Sequence, residues 1–131
     1  MRSLAAAALV PMLIQSCDKD ADRAASAMPS GLDHQLFEAL DDKSPDGKKV
    51  LRLRYVAAEL EADSFDKVSE DFAALCARDV LPRQRDAADP YDQAVISLSN
   101  KKSEFGVFNP DVTQYFEAFR LENGTCIWEA F

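Results

Sequence analysis

The chain of 131 residues has room for one domain of ordinary size, and 23 Asp and Glu against 15 Lys and Arg give it a net charge of -8. A surface of that sign repels phosphate backbones at long range, which argues against nucleic acid as a partner, and it disfavours electrostatic adhesion to anionic lipid. Any hold on a membrane then needs a covalent or an apolar anchor.

At the start of the chain, Arg2 precedes the small and apolar run Leu4 to Ile14, broken only by Pro11. A bilayer span takes about 20 apolar residues, so this run is too short to cross comfortably and reads instead as an export leader. It ends in Leu13-Ile14-Gln15-Ser16-Cys17, with a branched apolar residue at minus three and a small residue at minus one before the cysteine. That pattern resembles the lipobox of bacterial lipoproteins. The resemblance implies that the Cys17 thiol is lipidated, that residues 1–16 are removed as a signal peptide, and that the mature chain begins at Cys17. Asp18, in the position after the cysteine, resembles a signal for retention in the inner membrane. The expected location is therefore the periplasmic side of the cell envelope, with the N-terminal lipid in the membrane.

Residues 17–31 then read as the lipidated cysteine and a flexible tether, since DKDADRAASAMPSG is short, polar or small and closes on Met-Pro-Ser-Gly. Asp18, Asp20 and Asp22 lack the glycine turn and closing glutamate of a calcium loop. Residues 32–131 form the expected single domain. HQLFEALDD (34–42) and LRLRYVA (51–57) are strand candidates joined by the turn-like KSPDGKK, and the second alternates Leu51, Leu53 and Tyr55 against Arg52 and Arg54. In SFDKVSEDFAALCARDV the apolar positions Phe65, Val68, Phe72, Leu75, Cys76 and Val80 recur at three and four, the spacing of one buried helical stripe. Asp63 or Ser64 would cap this helix, and Leu81-Pro82 would end it. AVISLS (94–99) is a third strand, and FNPDVTQYF reads as a short helix capped by Asn109. EAFRLENGTCIWEAF closes the chain as a hairpin, because Asn-Gly suits a two-residue type I′ turn. The register then sets Glu122 opposite Thr125, Leu121 opposite Cys126 and Phe119 opposite Trp128. The fold class is α+β: one main helix packed on a small antiparallel sheet ending in a C-terminal β-hairpin.

Three cysteines divide into separate tasks. Cys17 belongs to the leader. Cys76 lies on the apolar helix stripe and Cys126 on the sheet face that the stripe should cover. In an oxidising compartment two such inward cysteines pair, so a Cys76–Cys126 disulfide is expected, against the alternative of two free buried thiols. Chemistry is otherwise sparse. His34, the one histidine, sits at the edge of a strand and reads as structural. No metal site, cofactor or catalytic residue is expected, because the glycines are too dispersed for a phosphate loop and the ligand types are too few for zinc. Acidic loop residues, Glu59, Glu61 and Asp63 with Asp86, Asp89 and Asp92, would be the material of a catalytic carboxylate pair, were two of them held in a cleft. Arg83, Arg85, Lys101 and Lys102 are the basic concentration. Tyr91 with Phe105 and Phe108 of EFGVFNP form the candidate contact patch.

The segments FDKVSEDFAALC, AVISLS, EFG and TQYFEAFRLENGTCIWEAF, over roughly residues 65–131, resemble a family of small exported proteins of unknown function from marine alphaproteobacteria. The resemblance implies a single exported domain and brings no activity, ligand or catalytic residue. The function expected is that of a non-enzymatic, lipid-anchored accessory or binding protein that meets an envelope protein partner. A small envelope hydrolase, or an inhibitor of one, using the acidic loops is the alternative.

Overall fold

The computed structural model describes residues 27–130. The leader, Cys17 and most of the expected tether lie outside the described residues. Strand β1 (Gln35–Lys43) and strand β2 (Lys49–Val56) form an antiparallel hairpin, closed by a turn at Ser44–Gly47 in which Gly47 takes φ +85°. The chain then crosses over through a helix and returns as β3 (Gln93–Ser99), followed by β4 (Gln114–Glu122) and β5 (Thr125–Glu129). Spatial order equals sequence order, and every neighbouring pair is antiparallel except β2 with β3. That parallel pair follows from the connection: a helix crossover returns the chain to the end where β2 began. The protein is thus one main helix on a mostly antiparallel five-stranded sheet, with the terminal hairpin in the predicted register, Leu121 opposite Cys126 and Phe119 opposite Trp128. Asn123 (φ 52°) and Gly124 (φ 72°) hold the positive angles that the type I′ turn requires.

The core sits between the sheet and the helix. Leu51, Leu53 and Tyr55 from β2, Ala94, Ile96 and Leu98 from β3, and Phe119 from β4 meet Val68, Phe72, Leu75, Cys76 and Val80. Cys76 is bonded to Cys126 across 50 residues of chain, joining the helix to the last strand. Tyr55, buried to its ring, donates its hydroxyl to Asp79 Oδ2 at 2.7 Å. Burial and then Asp79 push the Tyr55 phenol far above its ordinary range. Burial pushes the Asp79 carboxyl up, but the hydrogen bonds from Arg78 and Tyr55 outweigh it and hold the group below the usual carboxylate range.

The helix does not stop at Pro82. It runs as α1 (Phe65–Leu75), widens into a π-helical turn over Cys76–Val80, and continues as α2 (Leu81–Asp86). The Leu81 N–H bonds Cys76 O, one residue further back than an α-helix would place it, and this shift restarts the ladder at α2. Pro82 then occupies the first turn of a new helix, where a missing N–H costs nothing. Ser64 is the N-cap by position, but its side chain makes no capping bond.

The short helix expected over FNPDVTQYF is absent. Asn109 Oδ1 accepts the Asp111 N–H and Asn109 O accepts the Val112 N–H, a single turn, after which β4 begins at Gln114. Seven consecutive β3–β4 pairs, Ser99 with Gln114 through Gln93 with Arg120, outweigh the local helix signal. The stretch expected to be tether also ends earlier than residue 31. Met28 is buried in the core, and the Ser30 N–H donates to Asp71 Oδ1 at 2.9 Å.

Candidate functional site

Because side chains alternate along a strand, the sheet face away from the helix carries Arg52 and Arg54 from β2, Val95 from β3 and Phe116 from β4. Among the described residues no helix covers this face. The loop 100–113 folds over part of it instead. At the neck of the loop Asn100 N–H donates to Thr113 O and Thr113 N–H to Asn100 Oδ1. Gly106, at φ +79°, permits the sharp tip.

Arg54 roots the loop. Its guanidinium stacks 4.9 Å from the Phe37 ring centroid and 5.6 Å from that of Phe105, and donates to Ser103 Oγ at 3.1 Å and Glu38 Oε2 at 3.4 Å. These contacts leave Arg54 only 4% exposed. A buried cation of this kind is stable only because aromatic faces and a carboxylate replace its water. Arg52 lies 5.4 Å from Phe105 and donates to Asp42 Oδ2 at 2.8 Å. The bond from Arg52, with a second from the Lys43 N–H, holds the Asp42 carboxyl below its ordinary range.

Above the arginines the side chains turn outward. Phe108 is 89% exposed, Val107 56%, Phe116 47% and Phe105 46%. They wall a groove of about 280 Å³ with Arg54 at its base and Glu104 and Gln114 on its rim. Large apolar groups standing together in water, on a frame fixed by hydrogen bonds and cation stacking, are the mark of a contact surface.

Phe105 and Phe108 are therefore brought together, whereas Tyr91 is not part of this patch. Tyr91 precedes β3 at the other end of the sheet, where it bonds Gln84 through its backbone and lies under Lys49 Nζ at 4.6 Å. The Asp41 carboxylate, bonded to the Tyr91 hydroxyl, and partial burial push that phenol up. Phe37 and Phe116, which complete the patch, were detectable in the sequence only as strand residues. Arg52 and Arg54 gave the better signal, as two cations on the outward side of a central strand. The basic concentration is split, with Arg83 and Arg85 ending α2 and Lys101 and Lys102 opening the loop at the opposite end. The acidic loop residues are exposed, and the two that meet do so at Lys49: Asp92 Oδ2 accepts the Lys49 N–H, and Asp89 pairs with the Lys49 ammonium at 3.4 Å. Among the described residues no group of three or more His, Cys, Asp or Glu side chains is placed to hold a metal ion.

A further polar cluster is buried beside α1. His34 Nε2 lies 2.8 Å from Asp71 Oδ2, and both side chains are fully enclosed. Ser30 donates to the same carboxylate through its backbone and its hydroxyl. The three residue types are those of a nucleophilic triad, but the order is wrong. In a triad the histidine stands between the hydroxyl and the carboxylate, whereas here Asp71 stands between Ser30 and His34. The cluster fastens residues 28–34 to α1.

No curated protein and no solved structure matches the chain. The family match, by contrast, runs over residues 9–131, and on that match the chain belongs to the family of unknown function DUF6497.

Proposed function

We propose that the protein is a lipid-anchored, non-enzymatic accessory protein of the cell envelope, held on the periplasmic side by a lipid on Cys17 and acting through its open sheet face. The observation that carries this reading is the raised patch of Phe105, Val107, Phe108 and Phe116 over the stacked arginines. Such a surface suits adhesion, since its apolar groups are rigidly displayed and its charges are internally paired. The LIQSC sequence supports the anchor, and the Cys76–Cys126 disulfide suits an oxidising compartment.

Cell fractionation of a Cys17→Ser variant tests the anchor. Wild-type protein is expected in the membrane pellet after a high-salt wash, which removes proteins held by charge alone. The variant, without a thiol to acylate, should lose membrane residence or accumulate as an unprocessed precursor. Equal, salt-resistant residence of a variant cut at the same position would overturn the reading.

A further inference from the structure

The sheet register places four chain positions at one end of the domain: Gln35 opposite Val56, Val56 opposite Ser99, and Ser99 opposite Gln114. The loop 100–113, which joins Ser99 to Gln114, therefore projects from the end at which the chain enters the sheet. Helix α1 starts from that end as well, because it follows β2. Asp71, the seventh residue of α1, lies about 9 Å along the axis from Phe65. Ser30, bonded to Asp71, thus fixes the start of the described chain near the loop end of the domain. Nine residues lie between Cys17 and Ala27, and the ten chain steps give a reach of at most about 35 Å.

A lipid on Cys17 would hold this end of the domain toward the bilayer, and the loop at this end carries the most exposed aromatic side chain of the described residues, Phe108, next to Val107. Charge at this end is divided: the connection from β2 to α1 exposes Glu59, Glu61 and Asp63, whereas the loop itself is balanced. The chain as a whole is at -8, but within the loop Lys101 and Lys102 balance Glu104 and Asp111. A neutral, Phe-tipped loop on a rigid base, in an otherwise acidic protein, is built to enter an interface whose inner part is apolar.

We propose that the 100–113 loop seats Val107 and Phe108 in the acyl boundary of the bilayer that carries the Cys17 lipid, as a second point of membrane contact. The inference rests on the lipid-anchored reading and adds an orientation to it. One lipidated tether leaves a domain free to tumble, whereas two contacts fix it. The sheet then stands with its Gln35 end toward the membrane and its Asn123-Gly124 turn away from it.

Trp128, the one tryptophan of the chain, makes the test direct. It lies on the helix-bearing face, opposite Phe119 and away from the loop, with its Nε1–H donating to Glu117 Oε2. Full-length protein purified from its own membranes is reconstituted into phosphatidylethanolamine–phosphatidylglycerol vesicles, with and without bromine on the upper acyl carbons. Wild type is compared with Phe108→Trp, a change at a site too exposed to disturb the fold. The emission that the new tryptophan adds is expected to fall by half or more in brominated vesicles, while Trp128 emission changes little. Equal emission at position 108 in both vesicle types would overturn the inference, as would quenching no greater than that of Trp128. An unquenched residue that becomes protected only when envelope proteins are present would assign the loop to a protein partner instead. Mass analysis of the same samples separates the two readings: acylated protein with an unquenched loop sinks the loop contact alone, and a quenched loop on unacylated protein sinks the anchor alone.

Discussion

Replacing Cys76 and Cys126 together by alanine is expected to lower stability by about 4 kcal/mol, the loop-closure entropy that a link across some fifty residues removes from the unfolded chain. For a domain of this size that corresponds to a fall in melting temperature of roughly 15–25 °C. Alanine is the informative substitution, since serine would bury an unpaired hydroxyl where Cys76 is fully enclosed. The bond ties the π-helical turn to the second residue of β5, and β5 is an edge strand of only five residues held by β4 alone. Without it, the terminal hairpin should fray before the β1–β2–β3 core. Thermal unfolding of the wild type with and without reductant, followed by far-ultraviolet circular dichroism, checks this. Coincident midpoints would show that the crosslink contributes nothing.

Asp71→Ala is expected to cost about 2–4 kcal/mol, because it leaves the buried hydrogen-bonding groups of His34 and Ser30 without their acceptor, a loss of about 1–3 kcal/mol for each group that stays buried. Three bonds end on that carboxylate: from His34, from the Ser30 N–H and from the Ser30 hydroxyl. Asp71→Asn, which keeps the shape and one acceptor oxygen, should cost clearly less. The loss should be local before it is global. Hydrogen exchange at the Ser30 and Leu32 amides, the second of which donates to Ser30 Oγ, should accelerate while Leu53 and Ile96 stay protected. An Asp71→Ala variant with unchanged melting temperature and unchanged exchange at Ser30 would refute the role assigned to the cluster. If the tether is lipidated, this cluster is also the joint through which the membrane holds the domain.

The parts of this architecture that were legible in the sequence are those fixed by local chemistry. Asn123-Gly124 admits one turn geometry, and that geometry sets Leu121 opposite Cys126, which in turn aims Cys126 at the stripe carrying Cys76. Alternation in LRLRYVA separated a core face from an outward face. What misled were local signals overruled at long range. Asn109-Pro110 suits a helix start and a turn alike, and only the pairing of β4 with β3 decides between them. Pro82 is a helix stop by rule, yet the π-turn before it resets the hydrogen-bond ladder. The Ser30–His34–Asp71 cluster left no signal, since its members lie 37 and 41 residues apart and meet only after the helix packs. The contact patch was half legible: Phe105 and Phe108 stood out beside a glycine, but Phe37 and Phe116 join them only across the sheet. Nothing local to Tyr91 separates it from Phe105 and Phe108; only the sheet places it at the opposite end.

The intact mass of the protein purified from its own membranes, measured with and without reductant, tests the anchor and the crosslink together. The expected species is a chain beginning at Cys17 that carries acyl mass and gains about 2 Da on reduction, the two hydrogens of one opened disulfide. An uncut chain beginning at Met1 with Cys76 and Cys126 already reduced would contradict it, removing the export on which both the anchor and the crosslink depend.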